Sequence, residues 1–193
     1  MNNTYSVKID LVEEIFGSYP PPPIPESIFE ILFNNEDGAC FALLDAARLQ
    51  HLPQILASTD LEYRCLFQGD AESELEDVAP WLVKLSPNDK FTRRLLTGPN
   101  TKWGFWGHDA AVFLRSHSDL LTVRKSFRRL TRLYDPGVGR WFYFRFYAAP
   151  TMRDMISGME ASRLHHFFDS AIRFIVPNGN DAVLIIDKPN CEF

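Results

Sequence analysis

Cysteine is scarce in this chain. The three residues Cys40, Cys65 and Cys191 form an odd set with no CxxC spacing. That fits a reducing compartment better than a disulfide framework and gives no thiolate-rich zinc spacing. No apolar run approaches the roughly 20 residues that a membrane-crossing helix needs. The opening MNNTYSVKIDLVEEIF carries acids where a secretory leader has an apolar core. The expectation is a cytoplasmic protein with no membrane partner. Catalytic signatures are missing as well: the sequence contains no GxSxG elbow, no GxxxxGK[ST] or GxGxxG phosphate loop and no HExxH pair. The five histidines, His51, His108, His117, His165 and His166, have no familiar zinc spacing. Neither a cofactor nor a metal is expected. Positive charge is also in deficit, with a formal net charge of −5, which argues against a dedicated nucleic-acid binder.

What is present is an ordinary globular composition. At 193 residues one domain is expected, large enough to fold without a metal or disulfide staple. The 16 Phe and 4 Trp are more than usual, and a tightly filled core is their expected place. The chain is organised around Ala39–Leu85. Cys40–Leu44 is almost continuously apolar, as in a central strand covered on both faces. In Leu61–Phe67 the residues Tyr63, Cys65 and Phe67 alternate onto one face, and in Trp81–Leu85 so do Trp81, Val83 and Leu85. With a helix between the first two runs, the order strand–helix–strand predicts an α/β fold: a mixed, largely parallel sheet flanked by helices, with a small helical and hairpin C-terminal portion.

The flanking segments divide the chain. Residues 1–25 read as an N-terminal arm, a strand and a helical turn over Tyr5–Phe16, followed by the stiff connector Pro20–Pro23. Residues 26–193 read as a single α/β domain, with 150–193 as a small C-terminal lobe. Within it, helices are expected over Glu26–Phe33, from Leu52 to about Ser58, over Phe91–Leu96 and from Ser116–Asp119 to about Leu133. The last has a core stripe at Leu120, Val123, Phe127 and Leu130. Trp103–Trp106 and Ala110–Leu114 read as two strands, or as one interrupted by Gly107-His108-Asp109. So does Arg140–Tyr147, whose Phe142, Phe144 and Phe146 would face the core. A helix is expected over Glu160–Phe168, and Ala171–Val176 and Ala182–Ile186 should form a hairpin around Pro177-Asn178-Gly179-Asn180.

Few residues suggest chemistry. Asp45 ends the first buried strand, where α/β enzymes place functional groups, but an Asp there also simply bonds a following amide. Cys65 is expected in the core rather than as a nucleophile. The five acids of Asp70–Asp77 lack the spacing of a calcium loop and read as a solvated face. The positive feature is a cationic ridge on the long helix, formed by Arg124, Lys125, Arg128, Arg129 and Arg132 with Arg115 upstream. Such a ridge suits an acidic protein surface better than nucleic acid, because no stacking aromatics interleave with it. Trp141 and Tyr143, on the other face of the aromatic strand, join it as candidate protein-binding residues.

Seven pieces in order resemble a family: Phe41–Ala47, Leu61–Gly69, Val78–Leu85, Trp103-Gly104, Phe113–Ser116, Phe127–Leu130 and Phe144–Tyr147. The chain resembles, over roughly residues 39–175, the effector adaptors of bacterial type VI secretion, the Tap or TEC adaptors. It departs from them where Ala148-Ala149-Pro150 stands in place of the family's Asp-Pro. The resemblance implies a non-enzymatic cytoplasmic adaptor or chaperone that binds a cognate toxic effector and helps load it onto the VgrG spike. The alternative is a small hydrolase-like α/β enzyme using Asp45 and a histidine.

Overall fold

The computed structural model describes residues 4–13, 19–159 and 164–189. In chain order the elements are β1 (Thr4–Lys8), α1 (Glu26–Phe33), β2 (Ala39–Asp45), α2 (Leu52–Ala57), β3 (Tyr63–Cys65), α3 (Asp70–Glu74), β4 (Pro80–Lys84) and α4 (Lys90–Leu95). There follow β5 (Ala111–Ser116), α5 (Leu120–Leu130), β6 (Arg132–Asp135), β7 (Arg140–Tyr143), α6 (Ala149–Gly158), β8 (Arg173–Pro177) and β9 (Ala182–Asp187). Seven strands make one sheet in the order β1-β9-β8-β5-β2-β4-β3, while β6 and β7 form a separate two-stranded ribbon.

Every pairing in the large sheet is antiparallel, which overturns the expected largely parallel sheet. The strand–helix–strand order misled for a definite reason. β2 and β3 do run in the same direction, since both lie antiparallel to β4, but β4 doubles back and inserts between them. The order fixes the relative direction of two strands, not their adjacency. The continuous apolar run of β2 reports cover on both faces, and an antiparallel sheet can have that as readily as a parallel one. The expected C-terminal hairpin exists as β8–β9, but it is built into the main sheet between β5 and β1.

Two apolar layers sandwich the sheet. Cys40, Ala42 and Leu44 point into one with Cys65, Trp81 and Val83. Helices α1, α2 and α4 cover this layer through Ile28, Leu32, Leu52, Leu56, Phe91 and Leu95. Phe41 and Leu43 point into the other with Leu82, Val112 and Leu114. There α5 contributes Leu120, Val123 and Phe127, and α6 contributes Met152. Phe127, Phe146, Phe168 and Phe174 form an aromatic cluster in the second layer, with Phe127 5.8 Å from Phe146 and Phe168 5.1 Å from Phe174 between ring centroids. The arm of the chain belongs to this body: β1 closes one edge of the sheet, and Ile9 and Val12 are buried in the first layer.

Several local expectations shift. Trp103–Trp106 is not a strand. Turns lead there into a short 3-10 segment, Trp106–His108, with Trp106 buried against Phe113. α5 stops at Leu130 rather than Leu133. The expected strand Arg140–Tyr147 ends at Tyr143. Only Phe146 of its Phe face is fully buried, while Phe142 is half exposed. The helical turn expected before Phe16 falls partly on residues 14–16, outside the described residues. Of Glu160–Phe168, His165–Phe168 is a 3-10 turn, and 160–163 lie outside the described residues.

Arg115 is the largest fully buried side chain and lies inside the fold, not on the cationic ridge. Its guanidinium donates to the carbonyls of Leu32, Asn34 and Gly38, the last at 2.7 Å, where α1 ends and turns into β2. A cation at that position offsets the negative end of the helix and meets carbonyls that have no donor within it. Gly38 has φ +77°, and a Cβ there would lie 2.3 Å from the Ser116 carbonyl oxygen. The crossing of α1 into the sheet therefore requires glycine.

Buried acidic protons give the fold a pH limit. Burial pushes the Cys40 thiol up to about 12 and the Cys65 thiol up to about 11 from an ordinary 9.0. Burial, and then the charge of Asp45, pushes the Tyr147 phenol up to about 12 from 10.0. The folded chain holds protons that the unfolded chain releases. Their contribution is complete below the unfolded thiol value and is lost as pH rises toward the folded values. Urea midpoints are expected to hold to about pH 8 and then to fall steadily to about pH 11. A midpoint that stays level across that window counts against these burials.

Candidate protein-docking surface around an exposed hairpin

The surface begins with α5. Asp119 caps it by accepting from the Thr122 amide at 2.8 Å, and its apolar stripe is held by the second core layer. The opposite stripe is left to solvent and carries Leu121, Lys125, Arg128 and, just past the helix, Arg132. Thr131 ends the helix, with its hydroxyl bonded to the Arg128 carbonyl at 2.8 Å, and the chain turns directly into β6.

β6 and β7 pair Arg132 with Tyr143, Leu133 with Phe142, Tyr134 with Trp141 and Asp135 with Arg140. Asp135 accepts from the Gly137 amide at 2.7 Å, and Gly139 takes φ +64°. Together they close the tight Pro136–Gly139 loop with residues suited to it. Because the ribbon has only two strands and is not part of the main sheet, its side chains stay about half open to solvent among the described residues. Leu133, Tyr134, Trp141, Phe142 and Tyr143 are each 50–60 % exposed. Tyr143 anchors it at one end, 5.2 Å from the buried Phe67 ring. Tyr134 and Trp141 meet at 5.3 Å, and the Arg132 guanidinium lies 5.5 Å over the Trp141 ring. An isolated two-stranded ribbon is marginal in water, and a contiguous exposed apolar patch on a folded domain marks a binding surface. A groove of about 600 Å³ between helix and ribbon is lined by Arg128, Arg129, Arg132 and Trp141.

The residues expected from sequence are thus partly brought together. Lys125, Arg128, Arg129, Arg132, Trp141 and Tyr143 share this side of the molecule. Arg124 has a different task. Its Nε donates to the Cys65 carbonyl at 2.6 Å and a terminal nitrogen to the Phe67 carbonyl at 3.0 Å, tying α5 to the end of edge strand β3. Arg129 pairs with Asp169 at 3.2 Å. Sequence reasoning missed Leu133, Tyr134, Val138 and Phe142. The available signal was the near-mirror order Leu133-Tyr134 and Trp141-Phe142 about the Asp135-Pro136-Gly137 turn, hidden by running the helix to Leu133.

Asp45 sits elsewhere, fully buried at the end of β2. One carboxylate oxygen accepts from Arg145 at 2.5 Å with Arg48 at 3.7 Å, and the other accepts from the Ala47 amide at 3.2 Å. Arg48 reaches the His108 backbone carbonyl, not its ring. Asp45 thus caps a turn and neutralises Arg145, and no histidine side chain hydrogen-bonds it among the described residues. Among the described residues no group of three or more His, Cys, Asp or Glu is placed to hold a metal ion, and no helix is long and apolar enough to cross a membrane.

No curated protein and no solved structure matches the chain significantly. A family model, Domain of unknown function (DUF4123), matches residues 40–166, a span that runs from the central strand through α5, the hairpin and α6. More than half of the chain is covered, and the protein belongs to the DUF4123 family.

Proposed function

We propose that this protein is a non-enzymatic adaptor that binds a cognate toxic effector in the cytoplasm and helps load it onto the VgrG spike of a type VI secretion system. The observation that carries the reading is the exposed aromatic ribbon beside the cationic face of α5. It lies within the segment that resembles the adaptors, and it presents apolar side chains that a free monomer gains nothing by exposing. Apolar anchors give such an interface its affinity, and flanking charge orients the partner.

The test is affinity purification of the tagged chain from cells expressing the secretion system, with mass spectrometry of what accompanies it. One large effector at near-stoichiometric yield, with VgrG at lower yield, is the expected result. Recovery of neither would overturn the reading. Trp141→Ala, at the centre of the ribbon, should weaken effector binding by about 2 kcal/mol, close to thirtyfold, as truncation of a central aromatic anchor does. Because Trp141 is 60 % exposed, the melting temperature should hardly move.

A further inference from the structure

We infer that the groove between α5 and the β6–β7 ribbon receives an acidic segment of the partner, with aliphatic or aromatic side chains set between its carboxylates. The inference rests on the reading above that the ribbon docks a protein, and it specifies the chemistry of what is docked.

Charge supplies the first argument. Lys125, Arg128 and Arg132 follow one another along the solvent stripe of α5, and among the described residues none of them has a carboxylate within ion-pair distance. Arg129, which does, leaves three cations in a row for an incoming anion. Geometry supplies the second. Arg132 lies over the Trp141 ring, an arrangement that orients a guanidinium while leaving its edge free to meet a carboxylate through two parallel bonds. Apolar contact supplies the third. Leu121 is 61 % exposed at the start of the stripe, and Tyr134 and Trp141 are half exposed at its end. A ligand laid along the solvent stripe of α5 into the groove, whose own lining is Arg128, Arg129, Arg132 and Trp141, therefore meets apolar and cationic groups together.

A continuous polyphosphate fits less well. The chain carries a net charge of −5. Helix α3 presents Asp70, Glu72 and Glu74 three residues and more beyond Phe67, where the ribbon is anchored. A short peptide can place its few carboxylates on the stripe alone. A nucleic acid brings charge along its whole length and meets repulsion.

The test uses the purified full chain and a fluorescein-labelled peptide of alternating Glu and Leu, read by fluorescence anisotropy. Peptides of alternating Lys and Leu and of alternating Glu and Ser, and a labelled single-stranded oligonucleotide, serve as comparisons. The Glu–Leu peptide should bind best, and added salt should weaken it. Affinity should fall about tenfold or more in the Arg128→Glu, Arg132→Glu double variant and also in Trp141→Ala, with both variants melting like the wild type. Equal binding of the Lys–Leu peptide, tighter binding of the oligonucleotide, or no effect of the double variant overturns the inference. Self-association abolished by Trp141→Ala would assign the face to a second copy and overturn it too. The double variant also separates failure of the groove from failure of the adaptor reading. If it captures the whole effector from cells at wild-type yield, the acidic-segment inference fails and the adaptor reading stands. If the wild-type chain captures none, the adaptor reading fails, and the peptide assay still judges the groove.

Discussion

Arg115→Met is expected to destabilise the fold by about 3–5 kcal/mol, much of the whole stability of a domain this size. Methionine fills similar space but offers no donor. The carbonyls of Leu32, Asn34 and Gly38, which accept from the guanidinium at the end of α1, would be left buried and unpaired, each at a cost of about 1–3 kcal/mol where water cannot reach it. Burial pulls the Arg115 guanidinium below its ordinary value, as expected of a cation withdrawn from water. Arg115→Lys retains the charge, but one ammonium cannot span the set that the planar fork reaches, and it should fall between wild type and Met. Urea unfolding of the three proteins decides the matter. A loss under about 1 kcal/mol for Met would show that the carbonyls find other partners.

Arg145→Met should cost about 3 kcal/mol or more, for a reason that lies in its partner. Asp45 has no exposed surface, whereas the Arg145 side chain is 48 % exposed. Removing the arginine strands a buried carboxylate, with Arg48 at 3.7 Å as the remaining cation. Removing the acid instead leaves an arginine that water can reach. Asp45→Asn keeps the oxygen that accepts from Ala47 and should cost only about 1 kcal/mol. The double variant should therefore be more stable than Arg145→Met alone. Additive losses would mean that the pair is not coupled. The same variant bears on function. Effector capture by Asp45→Asn at the wild-type level is expected of an adaptor whose docking face lies on α5 and the ribbon.

Much of the fold was legible in the residues because short-range physics decides it. The helix over Glu26–Phe33, the proline-started helix at Leu52, the Asp119 cap and the stripe of Leu120, Val123 and Phe127 each follow from spacing and end signals. The inward alternation of Cys65 and of Trp81 and Val83 was equally plain, since a strand has a period of two. The candidate docking surface was half legible: the arginines and Trp141 could be named, but not the ribbon that makes them one surface.

By itself, the sequence determined the helices over Glu26–Phe33 and from Leu52, the apolar stripe of α5, that β2 is covered on both sides, and the kinship carried by residues 40–166. Only the tertiary structure decided three matters. It laid β4 between β2 and β3 and so made the sheet antiparallel. It drew Arg115 inward to the end of α1 and Arg124 onto the carbonyls of Cys65 and Phe67, so that two of the arginines serve the fold. It also lifted the strand of Trp141 and Phe142 away from the core. The physical reason is common to all three. Periodicity reports that a side chain has an apolar or polar neighbourhood, but strand adjacency, and whether a cation meets carbonyls or water, depend on residues far away in the chain. Those are brought together only when the sheet closes.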